Sequence, residues 1–323
     1  MDKIIFWIVA GLLLSGVGFY LFSVIYASYL VYVRTLTRQS KDDWGRRVSE
    51  ETPILLEMDR IGMAWHEANL DKKQDVHIIN GGMNLYGEFY DFGSKNAVMI
   101  LSGRTESLRY GYYFAEPYAK AGFSVLVVDP RGHGWSDGKY NTVGFEESKD
   151  QKAWARFLQE KYGIENLVFH GICIGAAGGM LAITSKDCPS CVKALVTEGM
   201  YPNFWQSMRN HIIERKRLMF PIMQCIDMWF KHYTGHSMRK GPIDVIGKMD
   251  KPLLMIQSME DPYSTPFYAQ KMFDLCPSQR KTLRYFETGG HSQLRLLHTQ
   301  EYDAAITAFL QENFEVDNKV DNK

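Results

Sequence analysis

The sequence predicts an α/β domain with a mostly parallel sheet, helices on both faces and a helical cap insertion, preceded by one transmembrane helix. Two observations predict the domain. From about residue 75 onward, short apolar runs alternate with longer segments of helical composition. One stretch, 202–250, interrupts that rhythm and is rich in Met, Trp, Phe, Arg and Lys. A third observation predicts the helix ahead of it: residues 4–33 carry no charge.

That uncharged run exceeds the roughly 20 apolar residues a bilayer core requires. A signal peptide has a shorter apolar core of about 7–15 residues and a small-residue cleavage site. Lys3 precedes the run, and Arg34, Arg38, Lys41, Arg46 and Arg47 follow it. Positive residues stay cytoplasmic, so the N-terminus is expected outside and the large domain in the cytoplasm. Tyr26, Tyr29 and Tyr32 suit the cytoplasmic interface, so part of the run is interfacial rather than spanning. The expected organisation is an anchor over 1–34, a juxtamembrane linker and amphipathic helix over 35–74, and the α/β domain over 75–315. The tail 316–323 repeats VDNK and is expected to be disordered.

Within the domain, "DVHIING" and "LYGEFYDF" read as two strands joined by a Gly-Gly turn, an antiparallel edge. "AVMILSG" (97–103) reads as a buried strand, and a helix is expected through "YYFAEPYAKAG". Then follow "FSVLVVD" as strand, 144–162 as helix, "NLVFHG" as strand, "AAGGMLAITS" as helix and "KALVTEG" as strand. After the interruption come "PLLMIQS" as strand, 265–274 as helix, "TLRYFET" as strand and 299–314 as helix. The interruption would cap the C-terminal ends of the strands, where ligands bind in open α/β sheets.

Charge and cysteine usage narrow the function. Lys plus Arg and Asp plus Glu each number 37, which argues against a broad nucleic-acid footprint. Five cysteines in no framework spacing fit a reducing compartment. Cys188 and Cys191 form a C-x-x-C in a loop, away from the helix start that a redox motif needs and without further ligands for zinc. No metal cluster or phosphate loop is legible, so no cofactor or metal is expected.

The chemistry centres on "LVFHGICIGAAGG" (167–179). Gly171-Ile172-Cys173-Ile174-Gly175 is a G-x-C-x-G between an expected strand and an expected helix, the setting of a nucleophile elbow with cysteine in place of serine. Small neighbours allow the strained turn, and a helix N-terminus favours a thiolate. The alternative is a small buried cysteine. A nucleophile needs a base, and the base an orienting acid, in the order nucleophile, acid, histidine. Asp261 follows one expected strand and His291 another, with Glu260 and Glu198 as rival acids. The oxyanion hole would take the N–H groups of Ile174 and of Arg104 in the loop "SGRTES". The Arg104 side chain is available for a substrate anion or for a salt bridge in its loop.

On these motifs the chain resembles the α/β-hydrolase superfamily. Residues 101–138, with "DPRGHGWS" at 129–136, are similar to the lysophospholipase and monoacylglycerol lipase group. The resemblance covers roughly 75–314. It implies Cys173 as nucleophile, Asp261 as acid, His291 as base, and Arg104 and Ile174 as oxyanion donors. Two departures stand out: Ser102-Gly103 replaces the usual His-Gly, and cysteine replaces serine. Cysteine elbows occur in dienelactone hydrolases and polyester synthases of this superfamily. The expectation is a membrane-anchored hydrolase of an ester or thioester, lipid-derived by proximity, working through an acyl-cysteine. An acyltransferase with the same acyl-enzyme and a non-catalytic binding protein are the alternatives. The apolar and basic cap segment either packs on the domain or meets lipid.

Overall fold

A computed structural model describes residues 2–48 and 52–315; the tail expected to be disordered lies outside them. Helix α1 (Asp2–Leu36) is long and apolar enough to cross a membrane. Its side chains are exposed almost throughout residues 3–27. Ser28, Tyr32 and Leu36 are then buried, at the four-residue spacing that aligns side chains on one helix face. The last turns of α1 therefore belong to the folded domain. The chain leaves it with Thr37 bridged to Tyr140. Helix α2 (Pro53–Ala68) starts with Pro53 behind Thr52, whose hydroxyl accepts from the Leu55 N–H. Its Met58 enters the core.

Eight strands form one sheet. They are β1 (Lys73–Asn80), β2 (Met83–Tyr90), β3 (Asn96–Leu101), β4 (Ser124–Val128), β5 (Asn166–Ile172), β6 (Val192–Glu198), β7 (Leu253–Ser258) and β8 (Lys281–Phe286). The spatial order is β1-β2-β4-β3-β5-β6-β7-β8. β1 and β2 pair antiparallel, β2 joins β4 antiparallel, and every other pairing is parallel. The central strands are buried on both faces, so they read as continuous apolar runs.

The expected helix over 112–122 is broken instead into α3 (Leu108–Gly111), a tight turn at Tyr112–Phe114 and α4 (Glu116–Lys120). Pro117 has no N–H to give the Tyr113 carbonyl, so a continuous helix would orphan that acceptor. The buried guanidinium of Arg295 donates to it instead. Helix α5 (Phe145–Tyr162) and α6 (Ile174–Ile183) cover one face of the sheet. The cap holds α7 (Phe204–Glu214) and α8 (Ile222–Thr234). Helix α9 (Pro266–Leu275) joins the face of α5 and α6. A short α10 (Leu294–Leu297) leads into α11 (Thr299–Asn313), which shares the other face with α2 and α4. A third apolar cluster joins the end of α1 to the cap through Tyr32, Leu36, Phe204, Met223 and Phe230, and includes Ile174.

Candidate active site

Cys173 sits between the end of β5 and the start of α6, at φ 53° and ψ −109°. This backbone conformation is costly for any residue with a side chain, of the order of 1–3 kcal/mol. The surroundings enforce it. The Cys173 N–H donates to the Glu198 carbonyl at the end of β6 at 2.9 Å. The flanking glycines are steric necessities: a Cβ on Gly171 would lie 2.4 Å from Ala176 N, and one on Gly175 2.0 Å from Leu101 O. Cys173 is half-buried.

His291 follows β8, and Asp261 follows β7. The structure brings them together, with Nδ1 of His291 2.7 Å from Oδ2 of Asp261. The other Asp261 oxygen accepts from the N–H groups of Tyr263 and Ser264, which hold the carboxylate in place. The Cys173 side chain lies beside the same imidazole. Burial pushes the His291 ring down, but the charges of Asp261 and of a Cys173 thiolate, with the hydrogen bond to Asp261, hold it well above the ordinary histidine value. The rival acids are occupied elsewhere. Glu198 accepts from Tyr302 at 2.8 Å and from the Leu294 N–H, while Glu260 accepts from the Gly289 N–H.

The loop after β3 passes beside the thiol: a Cβ on Gly103 would lie 3.9 Å from that of Cys173. Ile174 is the first residue of α6, so its N–H is one that no helix carbonyl can accept. The carbonyl of Arg104 is gripped by Nε2 of His133 at 2.7 Å and by Asn141 at 3.3 Å. The Arg104 guanidinium reaches out of its own loop. It donates at 3.0 Å to the carbonyl of Thr35, at the C-terminal end of α1. The loop is thus pinned from the "RGHG" turn and from the apolar helix at once.

The strand order with this elbow is accompanied by a family match. A family model described as the alpha/beta hydrolase fold matches residues 96–222. The esterase Pf2001 of Pyrococcus furiosus superposes with a TM-score of 0.65 at 20% identity, over 77% of this chain and 94% of that one. The chain has the α/β-hydrolase fold. Two relatives of similar sequence carry no described activity. The uncharacterized protein YqkD of Bacillus subtilis is 25% identical over 218 residues, 67% of this chain and 71% of its own length. The uncharacterized membrane protein YNL320W of Saccharomyces cerevisiae is 23% identical over 214 residues, 64% of this chain and 69% of its own length.

Several groups around this hydrolase-fold site escape sequence reasoning. Gly199 has φ +60°, and a Cβ there would meet His291 Cε1 at 3.0 Å, so the residue after β6 must yield space to the imidazole. His133 carries a motif position but no hint that it holds the Arg104 carbonyl. His211 and Tyr263 stack at 3.6 Å, and Tyr263 meets His291 edge-on at 5.6 Å. No local pattern announces that contact. Cys191 is buried and Cys188 half-buried, and burial raises both thiols, Cys191 to about 11, so neither is primed to react. Among the described residues no cluster of three or more His, Cys, Asp or Glu could hold a metal ion.

Proposed function

We propose that the protein is a membrane-anchored hydrolase of a carboxylic ester or thioester, acting through Cys173, His291 and Asp261. The observation that carries this is the strained cysteine at the elbow, beside a histidine that is itself paired with a buried carboxylate. The Cys173 thiolate attacks the substrate carbonyl carbon, and the carbonyl electrons move onto oxygen. The N–H groups of Arg104 and Ile174 receive that oxyanion; such a donor is worth about 3–4 kcal/mol of barrier. The tetrahedral adduct collapses, the bond to the leaving group breaks, and His291 gives the departing atom its proton. Water then attacks the acyl-cysteine and passes a proton to His291. The C–S bond breaks, and the acid leaves with the thiolate–imidazolium pair restored. Asp261 keeps the ring oriented and compensates its charge throughout.

The esterase Pf2001, which shares the fold, and the resemblance to lysophospholipases favour an ester substrate. Helix α1 supports a single-pass anchor, and the basic residues after it support a cytoplasmic domain. The test uses the full chain in detergent micelles with short- and long-chain p-nitrophenyl esters and acyl thioesters. Intact mass and product release are followed together, beside Cys173→Ala and His291→Ala. An acyl adduct on Cys173 with turnover, absent from both variants, supports the reading. An adduct that never releases would point to a transferase lacking its acceptor. No adduct from any donor, with a thiol inert to iodoacetamide, would overturn it.

A further inference from the structure

A cavity of about 410 Å³ opens between the end of α1, the loop after β3 and α7. That is within the usual range for a small-molecule site, about 300–1,000 Å³. Phe204 and Met208 are among its apolar lining, and Arg34, Arg104, Arg215 and Arg217 all reach it. Arg104 is engaged with the Thr35 carbonyl. Arg34, Arg215 and Arg217 approach the cavity from the end of α1 and from the end of α7. Four guanidinium groups around one concave space suit an anionic ligand.

Two of these cations, Arg104 and Arg215, lie near His211. His211, on the same wall, is pushed down to about 4 by burial and then by the charges of Arg104, His291 and Arg215. One aromatic ring, Tyr263, separates His211 from His291. The cavity thus lies one aromatic ring from the imidazole and shares Arg104 with the loop beside Cys173.

The rim has the character of a lipid-facing edge. Between α7 and α8, Leu218 and Phe220 are 81% and 74% exposed, directly after Arg215, Lys216 and Arg217. Exposed apolar tips beside cations suit the interface of an anionic leaflet. Helix α1 reaches the same rim: Arg34 lies about 12 Å along the helix from Tyr26, near which its burial begins.

We propose that this cavity holds the phosphate of an amphiphilic acyl ester or thioester that enters from the cytoplasmic leaflet, placing its carbonyl at Cys173. The inference rests on the hydrolase reading above. Guanidinium groups match phosphate bidentately, whereas a neutral head group leaves them unanswered.

The test compares 1-acyl glycerol 3-phosphate with 1-acyl glycerol of the same chain, and with the matching acyl-CoA. The full-length protein is used in neutral mixed micelles. The phosphate ester should exceed the neutral ester in kcat/KM by about tenfold or more. The variant R215Q/R217Q should raise KM for the phosphate ester by a similar factor, leaving kcat and the neutral ester unchanged. Equal rates for both esters, insensitive to the arginines, would overturn the proposal. Arginine-dependent preference for acyl-CoA over the lipid phosphate would support the cavity and overturn the leaflet as the source. Binding of 1-acyl glycerol 3-phosphate to Cys173→Ala micelles separates this inference from the hydrolase reading. Arginine-dependent binding without turnover in the wild type would sink only the latter.

Discussion

Replacing Gly175 with alanine tests the geometry of the site most directly. The added Cβ would lie 2.0 Å from Leu101 O and 2.7 Å from Ser102 O, both backbone atoms at the end of β3. Real Cβ atoms essentially never approach within 3.0 Å, so the start of α6 and the end of β3 must part by about 1.0 Å, the difference of 3.0 and 2.0. Cys173 and Ile174 stand on one side of that gap and the Arg104 loop on the other. Overpacking of this kind costs about 1–3 kcal/mol. In a domain of this size that lowers Tm by about 2–4 °C per kcal/mol, which leaves the protein folded at room temperature. A misplacement of about 1 Å between nucleophile and oxyanion donors costs roughly 100-fold in rate. The assay is single-turnover acylation with a p-nitrophenyl ester at 20 °C, beside a thermal melt. Gly178→Ala is the control, because its Cβ would meet the movable end of the Gln151 side chain. A G175A enzyme within twofold of wild type in both measurements would refute the assigned opposition of elbow and loop.

Three further outcomes are expected. Asp261→Asn should lower kcat about 10³- to 10⁴-fold, because the ring loses its orienting charge; Glu198→Gln and Glu260→Gln should each leave kcat within tenfold, and a larger effect of either would reassign the acid. A chain starting at residue 28 should keep wild-type stability by urea titration, whereas one starting at residue 38 should lose several kcal/mol; burying Tyr32 and Leu36 contributes about 1.5–3 kcal/mol each, and equal stability would show that α1 does not belong to the domain. Burial holds His170 down at about 3 and His211 at about 4, below the unfolded value near 6.5. As pH falls from 6.5 to 5 the unfolded chain takes up protons that the folded chain refuses, so stability drops by about 2 kcal/mol for each. His291, raised instead, gives its full contribution below 6.5 and adds no slope there. His170→Gln should lessen the slope of unfolding free energy by about 1.4 kcal/mol per pH unit, and an unchanged slope would contradict this assignment.

Much of the fold was legible because each element answers to a local rule. The runs that became β3, β4 and β5 are continuously apolar, as strands covered on both faces must be. The expected antiparallel edge appears as β1 and β2. The helix expected over 112–122 failed at Pro117, a local signal outweighed by its apolar neighbours. At the site, the nearness of His291 and Asp261 could be expected because each follows a strand end and chain order restricts the pairing. The sequence put Asp261 forward with Glu198 and Glu260 as rivals, but what each carboxylate bonds was beyond it, since all three stand at or just after strand ends. The choice depends on which carboxylate Tyr302, Leu294 and Gly289 occupy.

The sequence by itself determined the period of the strands, the uncharged length of α1 and the glycines that leave Cys173 its turn. These follow from sterics and burial within a few residues. Only the tertiary structure decided that α1 ends inside the domain, with Thr35 accepting from Arg104 and with Tyr32 and Leu36 sharing an apolar cluster with Ile174. The residues in that contact are 69 apart in the chain. The pairing answers to the shape of the open sheet and its cap, and no local propensity encodes it.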